Sequence, residues 1–177
     1  MSHKRKRPMK ILIIGVLFLS LVSHVVAQER AVTVLADKTP ALELTVPREA
    51  KVTPWKDKTV IQTTNMFLYV WSVTEAKTVN EAQARLGDVI KGDVLKFSAS
   101  ATNEITVAGS PARHLMGRGL EADDGDDATA DVVIFTVGNH IFVACVHGEN
   151  NDASREREPM LKILTTARSP QDQHAGK

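Results

Sequence analysis

Cys145 and His147, two apart in the run His-Ile-Phe-Val-Ala-Cys-Val-His at 140–147, are the residues of this chain best suited to chemistry. In a strand, successive side chains alternate faces, so this thiol and imidazole point the same way and offer two ligands to zinc or copper. Two ligands do not make a site. His114 is the mid-domain residue available as a third, because His140 has the opposite parity to Cys145. A metal- or small-ligand-binding protein built on His114, Cys145 and His147 is one reading. The plainer one is a buried thiol beside a strand-end histidine.

The other polar groupings offer less. Asp123-Asp124-Gly125-Asp126-Asp127 gathers carboxylates, yet it lacks the spaced acidic order and distal glutamate of an EF-hand loop. It reads as a solvated turn whose charges discourage strand-edge aggregation. Ser110 lies in Gly-Ser-Pro at a strand-to-strand corner, not in a nucleophile elbow opening a helix. Cys145 sits between Val143 and Val146, where apolar surroundings raise a thiol's pKa and blunt its reactivity. Gly117 and Gly119 precede no helix, so they supply no helix N-terminus for a phosphate. Nothing converges on catalysis, and no cofactor is expected.

The elements that must position these side chains centre on residues 128–147. Two β-branched and aromatic runs flank Gly138-Asn139, the signature of a hairpin whose glycine takes positive φ at the first corner of a type II′ turn. Both parities of each run are apolar, with Val133, Phe135 and Val137 against Val132 and Ile134. Each strand therefore needs cover on both faces, which demands three layers.

Upstream, 42–46 alternates apolar and polar residues, a short strand with one wet face ended by Pro47. Residues 51–58 read as a loop carrying Pro54-Trp55. Trp55 is a candidate interaction anchor, although a tryptophan in such a loop more often folds back as a lid on the core. Residues 60–64 and 66–73 read as two strands, the second central because Phe67, Tyr69 and Trp71 oppose Met66, Leu68 and Val70. That aromatic row is expected in the core.

Thr78-Val79-Asn80-Glu81 is a capping box, and Val79, Ala82, Leu86, Val89 and Ile90 form one apolar helical stripe that Gly92 is placed to end. A meander follows, with 94–100, 104–107 and 112–121 as strands; Gly117 and Gly119 predict a bulge or a close backbone approach. A last helix falls within 152–168, facing inward through Met160, Leu161, Leu164 and Ala167. Ser154 is a possible cap, and Pro159 favours a first turn, hence a later start.

The N-terminus has the three parts of an export signal: basic Lys4 to Arg7, an apolar run over 11–22, and small residues ending at Ala27 before Gln28. Cleavage is expected after Ala27, with membrane contact only through this segment. The apolar run falls short of the roughly 20 residues a span prefers, and no cysteine stands at the cleavage point to take a lipid. Formal charge is +1, but five of the 22 basic residues precede residue 11. The remainder carries 17 basic against 21 acidic residues, which discounts nucleic acid as a partner. One cysteine forbids an intrachain disulfide, so the mature domain must rely on burial.

The order strand, strand pair, helix, antiparallel meander and helix, with the corner Ala108-Gly109-Ser110-Pro111-Ala112 and the terminal Leu161-Lys162-Ile163-Leu164 helix, resembles the PsbP-like superfamily. That group includes a photosystem II extrinsic subunit, a Ran-binding import factor of the Mog type and many exported bacterial proteins. Ala108 stands where the usual corner has asparagine. The resemblance implies an α/β (α+β) fold, a three-layer α/β/α sandwich around a central antiparallel sheet. It also implies binding or assembly rather than catalysis. The organisation expected is a signal peptide over 1–27, a flexible lead-in over 28–41, one domain over 42–168 and a polar tail over 169–177. The expected role is an exported, non-enzymatic binding or accessory protein of the periplasm or exterior, meeting another protein or envelope component.

Overall fold

The computed structural model describes residues 28–55, 57–63, 66–149 and 152–170. The export segment, the Ala27–Gln28 junction and the last seven residues lie outside this set. In chain order the elements are β1 (Glu29–Ala36), β2 (Thr39–Pro47), β3 (Lys51–Trp55), β4 (Lys58–Gln62), β5 (Phe67–Ser72), α1 (Val79–Ala84), α2 (Leu86–Ile90), β6 (Val94–Val107), β7 (Ser110–Glu121), β8 (Asp127–Val137), β9 (His140–Glu149) and α3 (Asp152–Leu164). Seven strands form one antiparallel sheet in the order β3-β4-β5-β9-β8-β7-β6, and β1-β2 make a separate ribbon.

β8 and β9 form the expected hairpin near the middle of the sheet, and Gly138 turns it at φ 58. Phe135, Phe142 and Ala144 pack on one face among Leu42, Leu44, Met160 and Leu164, from the β1-β2 ribbon and α3. Val132, Ile134, Val143 and Cys145 pack on the other among Ala82, Leu86 and Ile90, from α1 and α2. The three layers follow, with a β ribbon sharing one outer layer with α3.

Several local expectations change. Residues 28–41 are not a loose lead-in: they form β1 and the start of β2, and Val32, Val34 and Ala36 are buried. The wet face expected of β2 is absent at Glu43, which is buried and ion-paired with Arg168, while the two backbones exchange hydrogen bonds of 2.9 and 3.0 Å. Residues 51–55, read as part of a loop carrying Pro54-Trp55, are a strand; β3 is the sheet edge, where a proline's missing N–H removes no ladder bond from an outer neighbour. The expected break at 101–103 is absent, because β6 runs through it and absorbs the irregularity as register shifts near Ser98 and Ala101.

Thr78 caps as expected, its hydroxyl accepting from the Glu81 N–H at 3.1 Å, while the Glu81 carboxylate accepts from the Lys77 N–H instead of the Thr78 amide. The single helix expected over 79–90 divides at Arg85, whose ψ of 2° is off-helical, and Gly92 is not in the left-handed region. Pro159 lies inside α3, not in its first turn, and Ser154 is therefore helical. Gly117 and Gly119 do mark a close approach: a Cβ on Gly117 would stand 2.3 Å from the Ser98 carbonyl oxygen.

At the β6-β7 corner Ala108 and Gly109 both take positive φ, 52° and 74°. For an alanine that left-handed geometry costs roughly 1–2 kcal/mol, whereas asparagine tolerates it. Ala108→Asn should therefore stabilise the fold by about 1 kcal/mol, read as a higher denaturant midpoint at unchanged slope. A lower midpoint would contradict this origin of strain.

Candidate functional site

The proposed metal set does not assemble. Cys145 is fully buried in the layer under α1 and α2, whereas His114 shares the parity of Ala112 and faces the α3 layer. Pleating separates them: His114 pairs with Val133, and Cys145 pairs with Val132, the neighbouring residue whose side chain leaves by the opposite face. Burial holds the Cys145 thiol far above the usual range, so it is an inert core group.

His147 does lie on the Cys145 face, where its ring stacks on Tyr69 at 5.1 Å between centroids. Neither ring nitrogen has a hydrogen-bond partner among the described residues, and Nδ1 stands 3.8 Å from the Glu121 carboxylate. Burial depresses its pKa, against the opposing pull of Asp93. The acidic turn adds the carboxylates of Glu121, Asp123 and Asp124, all within 4.8 Å of one another. Asp124 is also used structurally, accepting from the Asp126 N–H at 2.9 Å.

His114 instead belongs to a buried charge network. Its Nε2 is 2.8 Å from Asp131 Oδ1, and the same oxygen accepts from Arg157 Nε at 2.9 Å. Asp131 is wholly buried. A carboxylate there needs compensation, and Arg157 provides it from α3, pinning the polar half of that helix to β8. Sequence reading passed over Asp131; the clue was one acid interrupting an otherwise apolar strand.

A second network, also unforeseen, sits at the open end of the other face. Lys58 forms an ion pair with Asp93, the two side chains only 10% and 11% exposed. The Lys58 ammonium also stands 4.7 Å from the Tyr69 ring centroid and 5.4 Å from that of Trp71, a cation held against two π faces. This pairing ties the end of α2 to β4. Burial, reinforced by Asp93, pushes the Tyr69 phenol up to about 12.

The aromatic row expected in the core is buried only at one end. Trp71 is buried and Tyr69 partly so, while Phe67 is 46% exposed. Trp55 is not a lid: it is 54% exposed at the end of β3, in register with Lys58 and hence Trp71. α1 contacts β8 and β9, and α2 contacts β6. The β3-β4-β5 part of this face is therefore a partly bare aromatic surface. Beside it, between Trp71 and α2, lie two adjoining cavities of about 250 and 230 Å³ that share Asp57, Trp71, Asp88 and Val89.

No family model and no curated protein matches the sequence. Solved structures do. The solution structure of cyanobacterial PsbP (CyanoP) from Synechocystis sp. PCC 6803 is similar over 83% of this chain and 95% of that one, at 12% identity and a TM-score of 0.55. LpqN of Mycobacterium tuberculosis, described as involved in cell envelope biogenesis, aligns over 80% of this chain and 90% of its own, at 16% identity and a TM-score of 0.47. The likeness to the cyanobacterial protein, together with the observed layers, gives this chain a PsbP-like α+β fold.

The buried imidazole carries a pH prediction. Because folding lowers the His147 pKa, the unfolded chain takes up its proton first. This contribution to stability is complete above the ordinary histidine pKa of about 6.5 and is lost as pH falls through and below it. His147→Phe, which keeps a ring on Tyr69, should lose less stability than the native chain between about pH 7 and pH 5. Equal losses in the two proteins would contradict it.

Proposed function

We propose that the chain is an exported, non-enzymatic binding or accessory protein of the cell envelope, engaging another protein or envelope component through the open β3-β4-β5 face. The observation that carries this reading is the exposure of Trp55 and Phe67 on a sheet whose other large rings are largely withdrawn. Aromatic side chains left in water on a rigid sheet are characteristic anchors of interfaces. The reading of the first 27 residues as an export signal supports an extracytoplasmic location, periplasmic or secreted. A non-catalytic role is supported by where the chemistry-bearing groups sit: the Cys145 thiol is inert in the core, and the His114–Asp131 pair lies beneath α3.

The test is photo-crosslinking in the source cells, with the full chain carrying a photoreactive phenylalanine at position 67 or, for comparison, at Thr102 on the exposed outer strand β6. A discrete adduct from position 67 that is absent from position 102 and lost on Trp55→Ala is expected. Identical adducts at both positions, or none at 67, would overturn the assignment of this face.

A further inference from the structure

We propose that Glu121, Asp123 and Asp124, at the turn between β7 and β8, bind one zinc ion together with His147 of β9. Of the metal set expected from the sequence, His147 alone keeps surroundings suited to a metal, and its partners there are carboxylates instead of His114 and Cys145.

Backbone bonds hold the turn in shape. The Glu121 N–H donates to the Asp126 carbonyl at 2.8 Å, the Gly125 N–H to the Glu121 carbonyl at 3.0 Å, and the Ala122 N–H to the Asp93 carbonyl at 3.1 Å. One carboxylate oxygen from each of Glu121, Asp123 and Asp124 thereby lies within 4.8 Å of the other two. Acids gathered at a turn select no ion by themselves.

The imidazole supplies the selection. The His147 side chain is 11% exposed, and both ring nitrogens are shut off from solvent with no hydrogen-bond partner among the described residues. A buried polar group of this kind needs a partner. Stacking on Tyr69, with 21° between the ring planes, holds the imidazole so that Nδ1 stands 3.8 Å from a Glu121 carboxylate oxygen. That gap exceeds the about 3.2 Å at which such a hydrogen bond closes. It does suit two donors on one ion: at about 2.0–2.2 Å per bond, ligand atoms stand up to roughly 4.4 Å apart. Asp123 acts electrostatically on both His147 and Tyr69, so it faces the same corner of the sheet. Asp123 and Asp124 are exposed, which lets their carboxylates rotate onto the ion. Asp124 commits only Oδ1 to the Asp126 N–H, and its second oxygen is the one offered.

The donor set picks the metal. Calcium and magnesium are held by oxygen, whereas an imidazole beside carboxylates suits zinc. An ion there fastens the exposed turn to the central hairpin, a cross-link in a chain whose single cysteine allows no intrachain disulfide.

Calorimetric titration and thermal unfolding of the chelator-stripped full chain test this with zinc, calcium and magnesium chlorides. Zinc should bind one ion per chain and raise the thermal midpoint, with the other two at least tenfold weaker. His147→Phe, which keeps a ring on Tyr69, should weaken zinc at least tenfold. The double variant Asp123→Asn, Asp124→Asn should do the same without shifting the metal-free midpoint, because the amide keeps an oxygen for the Asp126 N–H. Absence of zinc binding would overturn the proposal, as would calcium binding of equal strength. Zinc affinity undiminished in either variant would assign the ion to histidines elsewhere in the chain and overturn it equally. The crosslink at position 67 reads a different face, so either result stands without the other.

Discussion

The β8-β9 hairpin cannot leave either of its faces in water, and the rest of the molecule is arranged to satisfy that. From 141 to 146 every residue is buried, whichever way it points. At roughly 25 cal/mol per Å² of apolar surface, uncovering one face would forfeit several side chains' worth of burial, each about 1.5–3 kcal/mol. One cover is broad, a β ribbon together with α3. The other is two short helices. The polar exception in the hairpin's core, Asp131, tightens the first cover because its charge recruits Arg157 from α3.

The two covers differ in reach, and this difference leaves the β3-β4-β5 face partly open. Seven strands about 4.8 Å apart make a sheet nearly 30 Å wide. Helices of six and five residues, rising about 1.5 Å per residue, are together only some 17 Å long. They shield the central strands and stop short of β3. On the β4-β5 flank, Ile61, Leu68 and Val70 stay dry beneath the ribbon while Val60, Tyr69 and Phe67 on the opposite face grade toward solvent. Lys58 and Asp93 close the boundary between covered and bare regions, which is where the cavities open.

What could be read from the residues was what periodicity and turn chemistry determine. Two-sided apolarity identified the central hairpin and demanded three layers, Gly138 set its turn, and the capping box placed the start of α1 at Thr78. Tertiary contacts decided the remainder. Residues 28–41 look unstructured in isolation, yet Val32 and Val34 gain burial once β1 pairs with β2. Pro54 argues against a strand everywhere except at an edge, and edge position is a property of the sheet, not of the tripeptide around it. The metal set failed because parity relates Cys145 to His147 within one strand but says nothing of His114 on another. The ion pairs Lys58–Asp93 and Arg157–Asp131 span 35 and 26 residues, beyond any local pattern.

Hydroxyl-radical footprinting of the full chain measures the unequal covering of the sheet directly, ring by ring. Trp55 and Phe67 should be oxidised at rates typical of solvent-exposed aromatics, with Trp71, Phe135 and Phe142 strongly protected in the same sample. Protection of Trp55 and Phe67 equal to that of Phe142 would mean the β3-β4-β5 face is covered after all, and rapid oxidation of Phe142 would mean the central hairpin is not.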